Sequence, residues 1–371
     1  MRFSFVAGCK VRVMPTSSSV LEGAGTQEHA YARATDRLLP WLSTLPWLLL
    51  IAALLSSWLA PQLIEHYALY PLLVGIVLLG LPHGALDHVV PARMQLPWGR
   101  RIVPVSVYLL FYIAIAATYF VLWFYAPLWA FVGFLAVTVL HWGHGDLRHM
   151  EIFVGRSYGS LAERAVALVV RGSLPILVPI LAFPNTAESL YEHAAVGLGV
   201  SPATINLNSL PVVNGLAVFL GVGLVAYIFI AARVSPDVGV LVAESLEIVV
   251  LLLFFLYTPA YFSVGLYFLA WHSLRHLGRL LILSPQDARA VAHNHWSKPL
   301  FRLVRDALPI TTAAIGLLVA LYVWREDNVQ SLEGFIAIYL VLISALTAPH
   351  MAVVALMDLA KPNPPPLLEP A

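Results

Sequence analysis

Five histidines carry the chemistry this sequence can do. Each lies in an apolar stretch, where an ionisable residue is disfavoured and normally faces an interior or a cavity. His83 stands in Leu81-Pro82-His83-Gly84-Ala85-Leu86-Asp87-His88. His141 heads His141-Trp142-Gly143-His144-Gly145-Asp146. His272 and His276 bracket Ser273-Leu274-Arg275, and His350 follows Ala348-Pro349. Neutral imidazole is a ligand for zinc, copper, iron or nickel. His272 and His276 are four apart, so on a helix they share a face and can grip one ion. His83 and Asp87 have the same spacing, which suits a carboxylate accepting the ring N–H of a ligand histidine. His141 and His144 are three apart, again on one face. His83, His141, His272 and His276 form the primary ligand set. His350, His144, His88, Asp87 and Asp146 form a second rank, as ligands or as groups that orient them. Taken singly, any of these histidines serves equally well as an interhelical hydrogen-bonding group. His29, His66, His193, His293 and His295 fall in tails or loops and His149 at an interface, all expected in contact with solvent.

Positioning these groups is the task of helices in a membrane. The 371 residues are 60% hydrophobic and 11% charged, against roughly a quarter charged in a soluble domain. Ten apolar stretches, at 42–60, 69–89, 103–124, 127–148, 162–182, 211–232, 240–258, 260–281, 307–324 and 334–357, have about the length that crosses a bilayer. Helices satisfy their own backbone in lipid. The expected fold class is therefore all-α, a polytopic transmembrane bundle of about ten spans (eight to ten), with residues 1–40 and 359–371 as tails and 41–358 as the catalytic unit. A short surface helix is expected within 281–306. Gly84, Gly143 and Gly145 are expected to let helices approach closely, and Pro82 and Pro349 to bend the helix next to a histidine.

Positive charge sets the orientation. With both termini cytoplasmic, the inner loops hold Arg93, Arg100, Arg101, Arg156, Arg233, Arg289, Lys298, Arg302, Arg305 and Lys361. The outer loops hold only Arg325, and the long 183–210 connection has neither Lys nor Arg. The second, fourth, eighth and tenth spans then run the same way. All five histidines fall about 12 to 16 residues into them, or roughly 18–24 Å from the outer edge. Four helices thus bring histidine to one level.

The formal net charge is +1 with no basic cluster, which gives no footing for nucleic acid. Cys9 is the only cysteine, so thiolate sites and disulfides within the chain are excluded. None of the three lysines lies in an apolar run, which excludes an intramembrane retinal Schiff base. Histidines confined to one slab argue against a proton or metal-ion relay crossing the membrane. Two enzyme readings remain from the residues. One is a metal-dependent oxygenase acting on a long apolar substrate, among walls such as Tyr257, Tyr261, Phe262, Tyr267, Phe268, Trp271 and Trp142. The other is a zinc-dependent intramembrane hydrolase of lipid amides or esters, using Asp87 or Asp146 with a metal-activated water.

The ordered motifs over about residues 66–358 resemble the bacteriorhodopsin-related-protein family (Brp/Blh), the microbial β-carotene 15,15′-dioxygenases. The resemblance implies a multi-pass protein of the prokaryotic cell (inner) membrane. It implies Fe(2+) as cofactor and O2 as co-substrate, with β-carotene or a related carotenoid or apocarotenoid entering from the bilayer. It also implies two retinal molecules as product, which a retinal-binding rhodopsin would take up. The family's iron-binding histidines match His83, His141, His272 and His276, and a further family histidine matches His350. Trp142 departs from the family's more usual Phe, and the first 40 residues have no counterpart.

Overall fold

A computed structural model describes residues 19–234 and 238–360, and among them the chain is helical with no strand. Helix α1 starts as Ser19–Leu39, widens through a π-helical turn at Pro40–Thr44 and continues as Leu45–Leu59. It is followed by α2 (Tyr70–Arg93), α3 (Ile102–Tyr125), α4 (Pro127–Val154), α5 (Leu161–Ala182) and the shorter α6 (Pro184–Gly197). Next come α7 (Leu210–Val234), α8 (Val238–Tyr257), α9 (residues 260–281), α10 (Pro285–Ala292), α11 (Ser297–Trp324) and α12 (Leu332–Ala360).

Nine helices among the described residues are long and apolar enough to cross a membrane, and the chain is a multi-pass membrane protein. The eighth expected span, α9, falls outside that group because His272, Arg275, His276 and Arg279 dilute its apolar character. It is nevertheless about 33 Å long at 1.5 Å per residue. Its polar side chains are buried among neighbouring helices rather than turned to lipid.

Three local expectations change. Residues 1–18 and 361–371, including Pro362–Pro366, lie outside the described residues. The rest of the expected N-terminal tail is helical from Ser19, and Ala30, Ala34 and Leu38 are buried. These residues recur every four positions, so one narrow stripe packs against α10 although the segment is polar overall. The 183–210 connection holds α6, whose Tyr191, Ala194 and Ala195 are fully buried, chiefly against α12 and α5. The short helix expected within 281–306 is α10, and its Ala288 and Val291 are buried.

Two close approaches set the frame of the site. At the α4–α5 crossing Gly143 and Gly172 face each other's helix. A Cβ on Gly143 would overlap the Leu168 carbonyl, and one on Gly172 the Val139 carbonyl. At the α2–α9 crossing Gly265 lies on the Leu72 backbone, and Gly80 lies under the Phe268 ring. Without side chains in between, backbones pack directly, as is usual for helices in lipid. Both α2 and α9 also carry a π-helical turn, at Ile76–Gly80 and Tyr267–Ser273. In α2 the cause is local. Pro82 has no N–H for the Leu78 carbonyl, and Leu81 N–H reaches back to Ile76 instead.

Candidate metal centre

Five buried imidazoles converge from four helices: His83 on α2, His141 on α4, His272 and His276 on α9, and His350 on α12. The His83 ring centroid lies 5.0 Å from His350, 5.5 Å from His276 and 5.6 Å from His272. His141 lies 4.7 Å from His272 and 4.8 Å from His350, and His276 is 5.3 Å from His350. The Nε2 atoms of His141 and His272 are 3.1 Å apart. One nitrogen each from His83, His141 and His350 lie within 4.8 Å of one another. The four helices expected to carry histidine to one level do bring it to one point.

His350, expected in the second rank, stands at the centre. Its Nδ1–H donates to both Asp87 oxygens, at 2.9 and 2.8 Å. That bond fixes the tautomer and leaves the lone pair on Nε2, which is buried with no hydrogen-bond partner. Nδ1–H of His83 faces the Leu79 carbonyl at 3.1 Å, so its Nε2 is likewise the free nitrogen. Nδ1 of His141 is also buried without a partner. Unmatched buried polar atoms are destabilising by about 1–3 kcal/mol each. A metal ion at the converging nitrogens would match the free Nε2 of His350, and an all-imidazole donor set fits iron as well as zinc or copper.

The second-rank residues divide. Asp87 does not hold His83, as its i, i+4 spacing had suggested. The α-helical part of α2 stops at Ala85 and tightens to a 3-10 turn at Asp87–Val89. This swings the carboxylate away from His83 and onto His350. Asp146 forms no hydrogen bond with any of the five rings. It accepts from Trp271 Nε1 at 3.0 Å, from Arg171 Nε at 2.5 Å and from the Arg275 guanidinium. His144 pairs with Asp358 at 2.5 Å. His88 turns its Nδ1 to the Ala85 carbonyl at 2.7 Å, on the cavity wall but outside the cluster. His149, expected at a wet interface, is fully buried. Ser43 of α1 lies 2.9 Å from its Nε2, and Phe153 stacks on it at 5.2 Å. His29, His66, His293 and His295 are exposed, and His193 is half-buried.

A layer of paired charge backs the cluster. Arg171 joins Asp146 to Glu247, and Glu247 also accepts from Trp47 at 3.2 Å. Arg275 donates to the Leu42 carbonyl at 3.0 Å and lies 3.7 Å from the Trp271 ring centroid. Arg156 is held by Glu244 at 3.1 Å and Glu163 at 2.5 Å, and Tyr227 donates to Glu244 at 2.9 Å. Burial alone would lower the Arg156 guanidinium, but these two carboxylates outweigh it and raise its pKa. The sequence reading missed Glu244, Glu247 and Glu163. The signal was available: two carboxylates in the otherwise apolar α8 have to be matched by buried cations.

His83, His141, His272 and His350 open on a cavity of about 660 Å³, a size typical of small-molecule sites. Aromatic and aliphatic side chains make up most of its wall, including Phe131, Phe134, Trp142, Tyr261 and Phe268. Trp142 stacks on Phe268 at 6.1 Å and leans on His272 at 5.4 Å. A side chain added at Gly84 would meet no atom within 4 Å, so Gly84 leaves space beside His83 and does not serve a helix contact. Tyr267 and Trp271 pack behind the site, and Tyr257 is exposed.

Comparison with known proteins bears on this arrangement. A family model described as beta-carotene 15,15'-dioxygenase matches residues 74–358. The chain is 32% identical over 334 residues to "Probable beta-carotene 15,15'-dioxygenase Blh" of Halobacterium salinarum, covering 88% of this chain and 95% of that one. It is 27% identical over 310 residues to "Probable beta-carotene 15,15'-dioxygenase Brp" of the same species, with 77% and 82% covered. It is also 34% identical over 71 residues to "Beta-carotene 15,15'-dioxygenase" of an uncultured marine bacterium, with 19% and 26% covered. No solved structure matches the chain.

Proposed function

The chain belongs to the beta-carotene 15,15'-dioxygenase family, and from that premise we propose that it is an enzyme splitting β-carotene at the central 15,15′ double bond with O2 to give two molecules of all-trans-retinal. The observation that carries this reading is the histidine cluster, whose unpartnered buried nitrogens border a long apolar cavity. Fe(2+) is the metal we assign to the cluster, with His83, His141, His272 and His276 as ligands and His350 joining them through Nε2. Bound there, iron supplies the activation of O2.

The chain's own residues do the rest. Asp87 holds the His350 proton on Nδ1 and so keeps Nε2 turned to the centre. The Leu79 carbonyl does the same for His83. Trp142 and Phe268 give the polyene a flat apolar wall next to His272. The dry lining excludes water from the reacting bond. A metal-activated water of the hydrolase kind needs a carboxylate free to take its proton. Asp146 is bound by two arginines and Trp271, and Asp87 is engaged by His350, which favours the oxygenase. The substrate enters from the bilayer of a prokaryotic cell (inner) membrane with both termini cytoplasmic. Residues 41–358 form the catalytic unit, and the retinal passes to a retinal-binding rhodopsin.

Expression in a β-carotene-producing cell tests the reading. Loss of carotenoid colour with retinal accumulating is the expected result. Unchanged carotenoid, with the protein in the membrane and iron supplied, would overturn it. Metal analysis of protein purified without added metal should find iron, whereas zinc alone would favour a hydrolase.

A further inference from the structure

The wall of the cavity falls into two unlike groups of residues. From the cluster, one group lies on α3 and α11, with Tyr112, Ile113, Ile310, Ala313 and Leu317. Ile113 is 63% exposed, Leu317 49% and Ile310 46%, and Ala313 is exposed too. These side chains border the cavity and the outer, apolar surface of the bundle at once. At one end of this gap α3 and α11 meet through Phe124 and Trp324, whose rings are 6.4 Å apart. The other group runs along α4 and α5 to α6 and the start of α9. Pro175, Ile176, Pro179 and Ile180 are buried there, and Phe183, Thr186, Ala187 and Tyr261 are half-buried. None of these end residues is exposed as the α3 and α11 wall is, so this is the more enclosed arm. On α4 the closed arm reaches from His141 back to Phe131, about 15 Å of helix.

From this asymmetry we infer that the cavity is a one-ended sleeve, in which the closed arm measures the substrate and thereby selects the bond that is cut. The inference rests on the carotenoid reading above. A ring-capped polyene passes from lipid through the gap between α3 and α11, and its leading ring slides past the histidines into the closed arm. It stops where Phe183, Thr186, Ala187 and Tyr261 close the end. The double bond then lying at the histidines is the one cleaved. The arm's depth places the middle of the chain there, and the trailing half remains in the open arm. A symmetrical cut follows from a length, with no polar group needed to recognise the centre of a hydrocarbon.

A volume series at the closed end tests this: Ala187→Val, Ala187→Phe and Ala187→Trp, assayed by chromatography of the aldehydes formed from β-carotene in membranes. A shallower arm stops the leading ring nearer the histidines. The expected products are therefore unequal, one aldehyde shorter than retinal and one longer, with their share rising along the series. Ala313→Trp at the open gap should slow cleavage and still give only retinal. Retinal as the sole product from every member of the Ala187 series that cleaves would overturn the proposal. So would abolition of cleavage already at Ala187→Val, or unequal products from Ala313→Trp. The unsubstituted protein separates the two levels of argument. If it makes no retinal, the proposed function fails. If it makes retinal and the series does not shift the cut, only the sleeve fails.

Discussion

Two buried polar regions lie back to back in this protein, and α9 belongs to both. On one face His272 and His276 join a group of rings in which His141 Nδ1 and His350 Nε2 lack partners. On the other Arg275 and Arg279 meet Asp146 and Asp358 in a layer where carboxylates and guanidinium groups are paired. Both arrangements are disfavoured in an apolar medium, for different reasons. A charge there is tolerated only when compensated, so each arginine of the layer has a carboxylate partner within the chain. A neutral imidazole is easier to leave unmatched, so the histidine cluster can wait for a ligand from outside. The contrast separates architecture from chemistry: the charge-paired network fixes the helices, and the one with no charge to pair marks the reactive point.

That division is open to attack at both regions. The largest effect is expected in the cluster. His272→Ala or His350→Ala should lower cleavage at least about a hundredfold and remove bound iron, while the protein still accumulates in the membrane. Metal content of purified protein is the check, and full iron with full activity would remove that histidine from the site. In the arginine layer, Arg171→Leu leaves Glu247 without its arginine and Asp146 with Arg275 alone, and should destabilise the fold by about 3–5 kcal/mol. A thermal melt should show the loss, with turnover per bound iron unchanged in the protein that survives. Asp87→Asn should weaken iron binding by about 10–100-fold, read by metal titration. Added to His350→Gln it should do little more, because Asp87 acts through His350. The smallest effect is expected at the edge: His88→Gln and His144→Gln should leave iron content within about twofold, since neither ring is in the cluster and surface-like changes are usually within about 0.5 kcal/mol. Loss of iron in either would redraw the boundary.

The sequence made the cluster legible for a physical reason. An imidazole inside an apolar span needs a purpose, and four parallel spans carried one at the same depth. Gly143 was readable as a close approach, but its partner Gly172 was not, because nothing local says which helix will face it. The Asp87 partner was misread because i, i+4 spacing holds only while a helix continues, and α2 leaves α-helical geometry at Ala85. His149 was misread because depth alone ignores what covers a residue, here Ser43 of α1. The arginine layer was half visible. Arg171 and Arg275, cations inside apolar spans, need a buried carboxylate, and both pair with Asp146. Glu247 went unnoticed although its helix has little else that is polar.

The widened turn at Tyr267–Ser273 bears on how α9 can change. On one side of it, Gly265 fixes the helix against Leu72. On the other, Arg275 and His276 must face different neighbours, Asp146 and the histidine cluster. A regular helix advances about 100° per residue, and straightening this stretch without shortening it would turn one half away from its partners. The wide turn takes up the excess and lets each half keep its own phase. Deleting Ala270 should therefore be absorbed with both faces in place. The same deletion at Leu277 has no slack to draw on, and would turn Arg279 away from Asp358.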